Sequence, residues 1–222
     1  MESNIKSIQE LENEFNKLDK SNSREYIKFY ENNLESIHNI DIDKDEEHYN
    51  AKLRLDCEYG VSLVATGNRV HGAIVLEKAI QMFENAPNQD LKKVYSLPYF
   101  EQILWNYAYA LSETNQLNRA LPAFIKLNKH YSKENKYKSW VINIRNRRLK
   151  KFSKPLAPIA LIWTILTFTL FQRFESITRF YLAIGLGIIV LFGVASEIYS
   201  VILKQKLNRI GNASQTDHPR PI

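Results

Sequence analysis

The sequence predicts an all-α chain: helical hairpin repeats followed by a transmembrane helical hairpin. Three observations carry that prediction. Apolar residues recur every three or four positions through residues 1–152, and no stretch shows a run of strand alternation. Part of that region repeats itself at a constant offset, so that Gly60 corresponds to Ala108 and Gly72 to Ala120. Beyond residue 154, two long segments lose almost all charge.

The first element covers residues 1–40 and reads as a helical pair. Ile8, Leu11, Phe15 and Leu18 fall on one helical face, and Ile27, Tyr30, Leu34 and Ile37 on the next. Ser21, Asn22 and Ser23 supply the break and cap between them. Residues 41–50, which include "DIDKDEE", read as an acidic solvated linker; the glycine and final glutamate of a calcium loop are missing.

Residues 51–152 hold the repetition. A first helix carries Leu55, Tyr59 and Leu63; Gly67 and Asn68 make a turn; a return helix carries Gly72, Leu76 and Ala79. The pattern recurs with Leu104, Tyr107, Ala108 and Leu111, a turn at Asn115 and Gln116, then Ala120 and Phe124. Small residues stand where two paired helices must approach closely. Pro122 is placed in the first turn of its helix, where a missing N–H costs least.

This bulky–small pair, turn and Ala-xxx-Phe resembles the tetratricopeptide repeat over residues 53–84 and 101–132. A further helix from Asn135 to Phe152 starts one period of that family after Glu101 and reads as a capping helix. The departures are Asp56 in place of an early aromatic, no closing proline, and a stretch of extra residues around "NAPNQDLKKVYSLP" between the repeats. The resemblance implies a concave groove that binds a peptide or partner helix. It would place Arg54, Cys57 and Val61 in that groove, then Gln102, Trp105, Asn106 and Tyr109, then Lys136, Ser139 and Asn143. Family members that grip a terminal carboxylate do so with two asparagines and three basic residues; only Asn106 and Lys136 match that set.

The last elements are the apolar segments. Residues 155–171 form 17 uncharged positions, and residues 180–203 form 24 with Glu197 as the single charge. About 20 apolar residues cross a bilayer core. A buried hairpin in a soluble protein would keep a polar stripe, and neither segment has one. Arg145, Arg147, Arg148, Lys150, Lys151 and Lys154 precede the first segment, and Lys204, Lys206 and Arg209 follow the second. The short connection between them carries Arg173 and Arg179 against Glu175. The bias places both ends in the cytoplasm, with the basic run against lipid headgroups. Ala183 and Gly187 are a small-xxx-small pair suited to helix association, which suggests a homo-oligomer through the spans. Glu197 reads as an interfacial anchor within reach of Lys204. Residues 204–222 read as a disordered cytoplasmic tail.

Charge divides along the same line. Residues 1–140 hold 18 Lys+Arg against 21 Asp+Glu, and residues 141–222 hold 12 against 3. A specific nucleic-acid partner is not expected, because the basic residues gather at the membrane joint rather than on the folded body. One cysteine excludes an internal disulfide or a cysteine-rich zinc site. Cys57 has no His–Asp partner at recognisable spacing, His38, His48 and His71 form no metal motif, and Gly185 and Gly187 form no phosphate loop. No cofactor, metal or enzymatic activity is expected. The polar, acidic start shows no basic stretch followed by an apolar run, so a secretory leader is not expected, and the Asn-, Lys- and Ile-rich usage suits a bacterial inner membrane. The expectation is an anchored adaptor that recruits a protein partner, or else an accessory subunit of a larger membrane complex.

Overall fold

The computed structural model describes residues 6–19, 21–86, 90–132 and 135–153, with scattered helical positions between 158 and 205. The described residues contain helices and no strand, so the all-α class holds. The chain divides into two compact units, Met1–Ser132 and Lys133–Ile222.

The first unit opens with α1 (Ile8–Phe15), which begins in a capping box. Ser7 N–H donates to Glu10 Oε2 at 2.8 Å, and the Glu10 N–H faces Ser7 Oγ at 3.4 Å. Asn22 caps α2 (Ser23–Asn32). The sequence predicts an unbroken helix over 24–37, but the chain breaks at Asn33, whose side chain donates to the Phe29 carbonyl at 2.9 Å. That asparagine ends α2 and precedes the short α3 (Leu34–His38). Local asparagine bonds of this kind compete with the helical ladder. Leu11, Phe15, Tyr26, Phe29, Tyr30 and Ile37 bury themselves with Leu55, Tyr59 and Leu63 of the next helix.

The acidic stretch is only partly a linker. Asp45 accepts from His48 N–H at 2.8 Å and starts α4 (Glu46–Ala65), with Glu46 and Glu47 in the first turn. Carboxylates are favourable there because they face the positive end of the helix dipole. The helix therefore takes in half of the expected linker.

The remaining helices of this unit are α5 (Arg69–Asn85), the short α6 (Leu91–Val94), α7 (Pro98–Glu113) and α8 (Leu117–His130). Tight turns fold α5 back on α4 and α8 back on α7. The first has Gly67 at φ 95° and the second Asn115 at φ 58°, both in the left-handed region. α5 also packs on α7, and α4 touches α7 directly. Gly60 and Gly72 set the first crossing. A Cβ on Gly72 would stand 2.7 Å from Val64 Cγ2, and one on Gly60 would stand 2.7 Å from Leu76. The matching residues of the second hairpin, Ala108 and Ala120, are fully buried. Because α8 starts at Leu117, Pro122 lies past the first turn, where the sequence places it, and it is exposed.

Tyrosine hydroxyls link the helices of this unit. Tyr30 donates to Asp56 at 2.6 Å, Tyr107 to Glu77 at 2.9 Å and Tyr95 to Glu84 at 2.6 Å. Lys52, Arg119 and Lys126 neutralise those three carboxylates.

In the second unit, α9 (Asn135–Ser153) is rich in Lys and Arg and carries no acid. Tyr137, Val141 and Ile144, at helical spacing, are buried. Among the described residues no helix is long and apolar enough to cross a membrane, and both apolar segments fall mostly outside those residues.

Candidate functional site

Helix α4 leaves one stripe open. Asn50, Arg54 and Ala65 are exposed and Glu58 and Val61 half-buried, all spaced three or four apart, while the residues between them pack inward. Helix α7 leaves another: Gln102 and Glu113 are exposed, and Trp105, Asn106 and Tyr109 are half-buried. α4 touches α7, and Tyr99 of α7 ties the two helices by donating to Glu58 Oε1 on the α4 stripe at 3.1 Å.

Cys57 does not belong to this open face. It is fully buried, because at position 57 the α4 side chain points inward, near Tyr99 of α7. Burial, followed by the nearby Asp56 carboxylate, pushes its thiol up from the ordinary range. A neutral, enclosed thiol is neither a groove contact nor a nucleophile.

Arg54 is held from behind. Its Nη2 donates to Asn16 Oδ1 at 2.9 Å, and its guanidinium carbon sits 4.8 Å from the centre of the Phe15 ring. Neither contact neutralises it, and no described carboxylate lies within ion-pair distance. Beside Arg54 an open cleft of about 350 Å³ is lined by Asn50, Leu53, Glu58, Phe83 and Tyr99. Leu53 and Phe83 are buried and form its apolar floor.

On α7, Trp105 and Tyr109 are near parallel with centroids 6.2 Å apart. The Trp105 ring meets the buried Phe124 edge-on at 5.8 Å, and Arg69 stands 5.8 Å over Tyr109. Both rings of the pair are half-buried. Asn106 donates to its own helix at the Gln102 carbonyl, 2.8 Å away. Lys136 stands on α9 in the second unit, exposed, 4.8 Å from the Tyr137 ring centre; Ser139 and Asn143 share that helix.

Of the basic residues, Arg145, Lys150 and Lys151 are exposed on α9 and Arg147 and Arg148 half-buried. Gly187 is helical, and a Cβ on it would meet nothing within 4 Å. Lys154, Ala183, Glu197, Lys204 and Lys206 lie outside the described residues. No group of three or more metal-binding side chains gathers among the described residues.

Tyr99, Glu58, Phe83 and Asn50 were missed by sequence reasoning. Asn50 and Glu58 had a signal, since each is one turn from Arg54; Tyr99 and Phe83 come from other helices and had none. No family model matches the chain, and no curated protein and no solved structure matches it.

Proposed function

We propose that the chain is a membrane-anchored adaptor whose first unit binds a protein partner along the joined open stripes of α4 and α7. The observation that carries this reading is a fixed cation beside an apolar-floored cleft on α4, with two half-buried aromatics on the helix α7 that touches it. Half-buried aromatics beside a cleft are what partner hot spots use. The tetratricopeptide-like spacing supports the same use. The anchor rests on the sequence of residues 155–171 and 180–203 and on the basic residues that flank them. The mechanism is recruitment: holding the binding face at the bilayer raises the local concentration of whatever it binds. Recruitment of this kind involves no catalytic step and no cofactor.

A crosslinking pull-down from native membranes tests it, with Trp105→Ala and Tyr109→Ala as variants. Trp105→Ala is expected to lose the captured partner while the chain stays in the membrane fraction. If capture survives that variant but vanishes when Ala183 and Gly187 are changed to Leu, the chain is an accessory subunit held through its spans instead. Turnover of any substrate by the purified protein would also overturn the adaptor reading.

A further inference from the structure

The cleft between α4, α5 and α7 says more about the partner than the open face alone. Its floor is apolar, formed by Leu53 and Phe83. Its rim carries three polar groups with different states of satisfaction. Arg54 is positioned by Asn16 and Phe15, which cost it no charge, so a fixed positive group stands at the rim with no described carboxylate within ion-pair distance, Glu58 lying one turn further along α4. Glu58 spends one oxygen on the Tyr99 hydroxyl, and its Oε2 accepts from no described residue. Asn50 is exposed, and neither its amide nitrogen nor its amide oxygen bonds to a described residue. About 350 Å³ takes one or two side chains of a longer chain, and the openness of the cleft suits a segment passing over it better than an enclosed small molecule.

We infer that this cleft reads an internal pair of residues in a partner peptide, one apolar and the next acidic. The apolar side chain sits on Leu53 and Phe83. The acidic one meets the Arg54 guanidinium, whose planar fork suits a carboxylate. A peptide N–H of the same segment donates to Glu58 Oε2, and the Asn50 amide meets a peptide carbonyl. Because Arg54 is already held in place, little side-chain freedom is lost on binding. The assignment deepens the partner-binding reading and rests on it.

The test uses the full chain, purified in detergent micelles, against three immobilised peptides. They are Ser-Gly-Leu-Asp-Gly-Ser, the same with Lys for Asp, and the same with Gly for Leu. The Leu-Asp peptide is expected to bind about tenfold tighter than either of the others. In Arg54→Gln, the Asp-over-Lys preference falls below about threefold while the Leu-over-Gly preference stays. Phe83→Ala removes the second preference, and Leu53→Ala serves where Phe83→Ala does not fold. Equal binding of the Lys peptide, an unchanged preference in Arg54→Gln, or no binding of any peptide overturns the assignment. Self-association of the chain that Arg54→Gln abolishes overturns it too, in favour of a second copy as occupant. Loss of peptide discrimination with the Trp105-dependent pull-down intact would defeat this assignment alone; loss of both would defeat the adaptor reading as well.

Discussion

Cys57 is the single cysteine of the chain and is fully enclosed, so it reports on the whole first unit. A thiol reagent such as DTNB is expected to leave the native protein unmodified over minutes and to label it at once in denaturant. Prompt labelling of the native chain would place Cys57 on the surface and reverse its removal from the binding face. Tyr30 offers a second residue-scale prediction. Burial, followed by the Asp56 carboxylate, holds its hydroxyl protonated well beyond its ordinary range. Its folded-state pKa is raised above the unfolded value near 10, so its contribution is complete below about pH 10. That contribution is lost as pH climbs toward the folded value. Tyr30→Phe also removes a buried hydrogen bond to a charged group, at about 1.5–3 kcal/mol. At neutral pH the variant should therefore be less stable than the parent by that amount, and the gap should narrow above about pH 10. Denaturant melts at neutral pH and just above the unfolded tyrosine pKa measure it; a gap that widens with pH would show that the hydroxyl is not held in its neutral form.

At the scale of elements, the two hairpins use one plan with different residues. Gly67 and Asn115 are related by the same offset as Gly60 and Ala108, and they occupy the same left-handed turn position. Glycine and asparagine are the residues that tolerate that conformation, whereas a β-branched residue does not. Gly67→Asn should therefore change stability by less than about 0.5 kcal/mol, while Gly67→Val should cost about 1–2 kcal/mol. Thermal melts compare them, and a harmless valine would mean the turn relaxes into another form. These turns and the small residues at the crossings were legible in the sequence because each depends on its own local geometry. Other features were not. The Asn33 break hides in an amphipathic pattern that runs through it, because one side-chain bond decides it. The burial of Cys57 depends on where α7 lies against α4, which no spacing within α4 reveals. The same holds for the cleft: Arg54 was readable as a groove residue, but its anchoring by Phe15 and Asn16 comes from the far N-terminal end of the unit, at and just after α1.

At the scale of the whole molecule, the charge division and the proposed anchor make one linked claim. Residues 1–140 are slightly acidic, and the remainder carries a large basic excess set around two apolar segments. If the basic flanks hold both ends of those segments on the cytoplasmic side, the short connection at residues 172–179 emerges on the opposite face. The single native cysteine makes this measurable. With Cys57 replaced by serine, Ser176→Cys lies in the connection and Ser132→Cys lies at an exposed position that ends the first unit. A membrane-impermeant maleimide added to intact cells is expected to label the cysteine at 176. It should reach the one at 132 only after the membrane is permeabilised. Labelling of 132 alone in intact cells would invert the proposed orientation, and labelling of both would remove the membrane crossing between them. Labelling of neither until lysis would remove the connection from the outer face, and with it the argument that the basic run 145–154 is a membrane joint rather than a surface seeking a ligand.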